Sequence, residues 1–158
     1  MKLVICGKGS RLPAIDLHQN KLLIKDNIPM NDPTTKSAVL ENNIWPKEIR
    51  LSKNKSQLDV EFDNGDQVSL TAELLRVESP SAEVQGHGSG QKTTPPGKQH
   101  ILISTIEPVG NYAIRIRFSD GHDTGIFSWT LLHDYGLRKQ DLIADYLSRL
   151  ESGGMSRS

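Results

Sequence analysis

One cysteine, Cys6, is all the thiol this chain has. That excludes an internal disulfide framework and any zinc site built from cysteines alone within one chain. It suits a reducing compartment, and a cytoplasmic protein is the expectation. Excess charge of either sign is also missing: nineteen Lys and Arg balance nineteen Asp and Glu. The general electrostatic footprint of a nucleic-acid or membrane-surface binder is therefore absent, and no such partner is expected. Long apolar runs are lacking too. Leu3 to Cys6 is far too short for the core of a signal peptide, and nothing approaches the ~20 residues of a membrane helix. Aromatic residues are 5% and apolar residues 35% of the 158 positions. This is little for a globular chain, so one domain with a modest core is expected, with part of the sequence outside it.

What the chain does have is strand alternation. Tyr112, Ile114, Ile116 and Phe118 recur at every second position, which puts them on one face of a strand. Ala113, Arg115, Arg117 and Ser119 take the other. Leu58, Val60 and Phe62 alternate in the same way, and Ile49 and Leu51 share a face upstream. Asp63-Asn64-Gly65-Asp66 follows Phe62, and Asn-Gly between alternating runs predicts a hairpin with a type I′ turn. Gln67 to Leu70 is the return strand. Ile101 to Ile106 should pair with the Tyr112 strand across Pro108 to Asn111. Thr71 to Arg76 reads as a short helical turn capped by Thr71, and Phe127 to Tyr135 as a short helix closed by Gly136. Leu142, Ile143, Tyr146, Leu147 and Leu150 mark one face of a C-terminal amphipathic helix. Strands first and helices last predict an α+β fold, with small antiparallel sheets and short helices. The expected organisation is a weakly ordered extension over 1–43, a domain over 44–136, a C-terminal helix over 137–152 and a flexible tail over 153–158.

Chemistry-bearing residues gather after the Tyr112 strand, in Asp120-Gly121-His122-Asp123-Thr124-Gly125. The same residues also read as a turn whose Asp and Thr side chains bind their own backbone. Of the five His, namely His18, His87, His100, His122 and His133, two lie in turn-forming or Gly-rich stretches: His122 and His87. With Asp120 and Asp123 as oxygen donors, they are the candidate ligands for a divalent metal, iron or zinc, and no other cofactor is implied. No Ser/His/Asp or Cys/His arrangement stands out, so no catalytic residue is assigned. Arg115 and Arg117, with Trp129 nearby, form a candidate partner surface, because Arg suits carboxylates and phosphates and aromatic residues anchor interfaces.

Three segments together carry a family resemblance: WPKEIRLS at 45–52, LDVEFDNGDQVSLTAELLRVESPSAEVQGHG at 58–88, and IEPVGNYAIRIRFSDGHDTGIFSWTLL at 106–132. They resemble the domain at the N-terminus of gamma-butyrobetaine hydroxylase, which also occurs as small stand-alone bacterial proteins of the DUF971 type. The resemblance spans roughly residues 45 to 135. It implies a zinc corner, since the eukaryotic hydroxylase holds zinc in this domain with three Cys and one His. Aligned by the motif, the Cys positions fall on Ser79, Ser81 and Val84, and the His on His122. Ser and Val supply no thiolate, so this zinc site is expected to be absent, with packing and turn hydrogen bonds in its place. The hydroxylase's iron chemistry sits in a second domain with an HxD motif, and no His here has Asp two residues on. Related domains also occur fused to P-loop ATPases of the Mrp type that handle iron–sulfur clusters. The resulting expectation is a non-catalytic adaptor or partner-binding module linked to metal or iron–sulfur metabolism. The alternatives are a metal-binding protein centred on His122 and an accessory subunit of an oxygenase.

Overall fold

Alternating side chains from two small sheets fill one core. The computed structural model describes residues 2–4, 44–86 and 92–158. The first sheet is antiparallel and runs in the order β1 (Lys2–Val4), β2 (Pro46–Leu51), β3 (Gln57–Phe62), β4 (Gln67–Thr71). β3 buries Leu58, Val60 and Phe62, and β4 buries Val68 and Leu70, as their period of two requires. β1 belongs to the stretch expected as an extension, yet it lies at the edge of this sheet. The β3–β4 turn departs from the expected type. Only Gly65 has positive φ, and Gly65 N–H bonds Phe62 O at 3.2 Å while Phe62 N–H bonds Asp66 O at 2.9 Å. One left-handed residue after an ordinary turn replaces the two that type I′ needs, and Asn64 instead spends its side chain on Asp66.

The second sheet orders β5 (Ile103–Val109), β6 (Ala113–Phe118) and β7 (Ile126–Ser128), again antiparallel. Ile103, Ile114, Ile116, Phe118 and Phe127 face the same core as Ile49, Leu58 and Phe62. Ile103 N–H also bonds Lys55 O at 2.8 Å, joining the two sheets. Tyr112 does not share the buried face: it falls in the turn before β6 and is 54% exposed.

Among the described residues, four helices accompany the sheets. α1 (Ala72–Val77) starts as expected at Thr71, whose Oγ1 accepts from Leu74 N–H. α2 (Ala82–Gln85) is a single turn. α3 runs Trp129–Leu137, capped by the Ser128 hydroxyl, so the expected 127–135 helix begins two residues later and continues past Gly136. Gly136 is there for packing, because a Cβ at that position would sit 2.2 Å from Val68 Cγ1. α4 (Lys139–Ser152) buries Tyr146 and Leu150 against Val77. Leu147, expected on that face, is 36% exposed. Residues 153–158, expected to be flexible, are hydrogen-bonded to the body of the fold. Gly97 N–H donates to Ser156 O, Gln99 N–H to Arg157 O, and Arg157 pairs with Glu73 through two 2.7 Å bonds.

Candidate functional site

α1, α2 and the β6–β7 loop meet at His122. β6 ends at Phe118, and Gly121, with φ of 85°, lets the chain reverse so that Phe118 N–H bonds His122 O. That reversal turns the His122 ring inward, 6% exposed, with its centroid 6.0 Å from that of Phe118. Nε2 lies 2.9 Å from Ser79 Oγ and Nδ1 lies 3.0 Å from Glu83 Oε2. Gly125 leaves room for this contact, since a Cβ there would meet Ser79 Oγ at 2.3 Å. Of the four positions the resemblance aligns with zinc ligands, two are therefore in direct contact, Ser79 and His122. Ser81 adds its backbone N–H, 3.4 Å from Ser79 Oγ, and its own hydroxyl is buried without a partner. Val84 is 1% exposed.

The donor set does not fit zinc. A hydroxyl, a second hydroxyl and an isopropyl group stand where thiolates would be, and structural zinc takes four good ligands. The order of side chains also imitates a Ser–His–carboxylate triad, but with burial reversed. In acyl transfer the hydroxyl meets the substrate and the acid is enclosed. Here Ser79 is fully enclosed and the Glu83 side chain is 61% exposed.

The carboxylates proposed as metal donors are engaged elsewhere. Asp120 accepts from Arg76 Nε at 2.8 Å, Lys98 Nζ at 2.7 Å and the His122 amide at 3.2 Å. Burial alone would raise its pKa, but the Lys98, Arg76 and amide hydrogen bonds outweigh burial and hold it at about 2. Asp123 pairs with Arg117 at 3.1 Å on the surface. His87 lies outside the described residues, as do Cys6 and His18. Among the described residues no three His, Cys, Asp or Glu side chains are grouped to hold a metal ion.

Arg115 and Arg117 are both exposed, on the outer face of β6. Trp129 is not part of that surface: it is 5% exposed, and its indole N–H donates to Asn111 O at 2.8 Å. The start of α3 at residue 129 carries the ring into the core. Sequence reasoning missed Arg76, Glu83 and Lys98. Arg76 is 5% exposed, bonds Asp120 and Glu83, and keeps one buried nitrogen, Nη1, unpartnered. A charged residue inside the apolar run Leu74-Leu75-Arg76-Val77 was the available signal.

Fold and site define a small α+β domain whose polar corner is closed by its own side chains. The chain belongs to the gamma-butyrobetaine hydroxylase-like, N-terminal family, whose model matches residues 49–133. Two proteins with solution NMR structures are similar to it. One is 44% identical over 72% of this chain and 90% of that one, with a TM-score of 0.63. The other is 43% identical over 75% and 88%, with a TM-score of 0.65. A crystal structure of a protein with unknown function of the DUF971 family, from Acidithiobacillus ferrooxidans, is 39% identical over 55% of this chain and 86% of that one, with a TM-score of 0.46. No curated protein matched. Among the described residues no helix is long and apolar enough to cross a membrane.

Proposed function

We propose that the chain is a non-catalytic partner-binding module that docks through the outer face of the second sheet. One observation carries this reading: Arg115 is exposed and has no hydrogen-bond or ion-pair partner among the described residues, with the exposed Ile126 directly across from it in the strand register. Arg117, two residues on, is held only by surface Asp123. An exposed guanidinium without a partner among the described residues, beside an exposed aliphatic side chain, fits a protein surface that offers carboxylates next to apolar contact area. The His122 corner gives less support to catalysis or metal binding, because its hydroxyl is enclosed and its carboxylates are occupied. The fusion of related domains to Mrp-type ATPases makes iron–sulfur machinery in the cytosol the first place to look for the partner.

The test uses the protein coupled to resin and exposed to native lysate, beside an Arg115→Glu/Arg117→Glu variant. The expected outcome is one protein retained by the wild type and reduced about tenfold or more by the variant, the size of a modest hot spot. Equal retention by both proteins, with the variant shown to be folded, would refute the proposed face. No specific retention by either would refute the module itself.

A further inference from the structure

The Ser79–His122–Glu83 chain has a polarity that can be worked out atom by atom. A carboxylate only accepts, so the 3.0 Å contact to Glu83 Oε2 requires a proton on His122 Nδ1. A neutral imidazole with its proton on Nδ1 has a bare Nε2, which accepts the Ser79 hydroxyl proton at 2.9 Å. Ser79 Oγ in turn receives the Ser81 backbone N–H. Every proton in the chain then points one way, from the Ser81 amide to Ser79, to the ring, to Glu83. Arg76 holds the far end, with Nη2 3.4 Å from Glu83 Oε1. Phe118 covers the ring, and Asp120 fixes the loop through the His122 amide. These are the groups that face His122 from α1, α2 and β6.

We infer that this chain is a metal-independent clasp: it holds His122 as the Nδ1–H tautomer and ties the α1–α2 segment to the β6–β7 loop, in place of the zinc ion the resemblance implies. The donor set carries the disagreement, because Ser79 offers a neutral hydroxyl and Val84 offers no donor. A zinc-bound imidazole leaves its bound nitrogen without a proton and available to the ion. Here the bare Nε2 is already taken by a buried hydroxyl. The exposed end, Glu83, sets the tautomer.

The experiment is a long-range ¹H–¹⁵N correlation spectrum of the full ¹⁵N-labelled chain at about pH 8, above the ordinary imidazole range. The expected pattern for His122 is a protonated Nδ1 and an unprotonated Nε2, unchanged by EDTA or by one equivalent of Zn²⁺. Glu83→Ala, a substitution at an exposed position, should leave the fold intact and let the Nε2–H form appear. A proton on Nε2 in the wild type would overturn the inference. So would a Zn²⁺-dependent change at either ring nitrogen, or a Glu83→Ala spectrum identical to the wild type.

Discussion

Asp120 shows how a single residue can be conspicuous in sequence for one reason and important in the structure for another. Beside His122 it reads as a metal donor. In the fold it is the acceptor for two cations and a backbone amide. Its folded pKa of about 2 lies below the ordinary 3.8. Its stabilising contribution is therefore in full force above about pH 4 and is lost as pH falls toward about 2. A shift of this size corresponds to about 2 kcal/mol. Urea unfolding of the wild type and Asp120→Asn across that acid window should show the gap between the two proteins closing by about this amount. A gap that stays constant with pH would contradict the assigned pairing. Ser79 and Glu83 teach the same lesson at the other side of the loop. Ser79 stands out only through the family alignment and Glu83 not at all, and each gains its role through a ring some forty positions away.

At the scale of elements, α1 is the most revealing. All six of its residues are buried, including Glu73 and Arg76, and buried Glu78 follows directly. Each charge is neutralised from a different part of the chain: Glu73 by Arg157, Arg76 by Asp120 and Glu83, and Glu78 by Lys92 and Arg149. Losing one partner of an enclosed pair costs more than a surface ion pair is worth, because the other charge stays in place without compensation. Arg157 is itself partly exposed, so Arg157→Ala should cost about 2–3 kcal/mol, less than the roughly 3–5 kcal/mol of a fully buried pair. Adding Glu73→Gln should restore much of that, and denaturant midpoints of the three variants would check it. Equal stability of Arg157→Ala and wild type would show the tail to be an ornament on the fold.

These pairs also explain what the sequence could and could not reveal. The strands were legible because a period of two is a local property, and the Thr71 cap because its partner, Leu74 N–H, is three residues away. The link from Glu73 to Arg157 spans 84 positions and that from Glu78 to Arg149 spans 71, so no window along the chain announces them. Trp129 was misplaced because a ring between Ser and Thr looks surface-bound until the Ser128 cap fixes where the helix starts. The turn at Asn64-Gly65 was mistyped because the type depends on how far the flanking strands pair, and here Glu61–Gln67 is the last pair in register.

Among the described residues, the inner faces of two sheets pack into one core, and Arg115 stands exposed and without a partner on the outer face of the second sheet. The polar corner is closed from within. On the proposed reading, the stability of the fold is independent of any bound metal and its function lies on a surface. The family resemblance makes that independence testable, since a complete structural zinc site contributes about 10–16 kcal/mol of apparent binding energy and its removal would be unmistakable. The most direct measurement is elemental analysis of protein purified without a His-tag, paired with denaturant unfolding before and after EDTA. We predict less than about a tenth of an equivalent of zinc or iron, with midpoints that coincide. A stoichiometric metal, or a midpoint that drops when EDTA is added, would contradict the account.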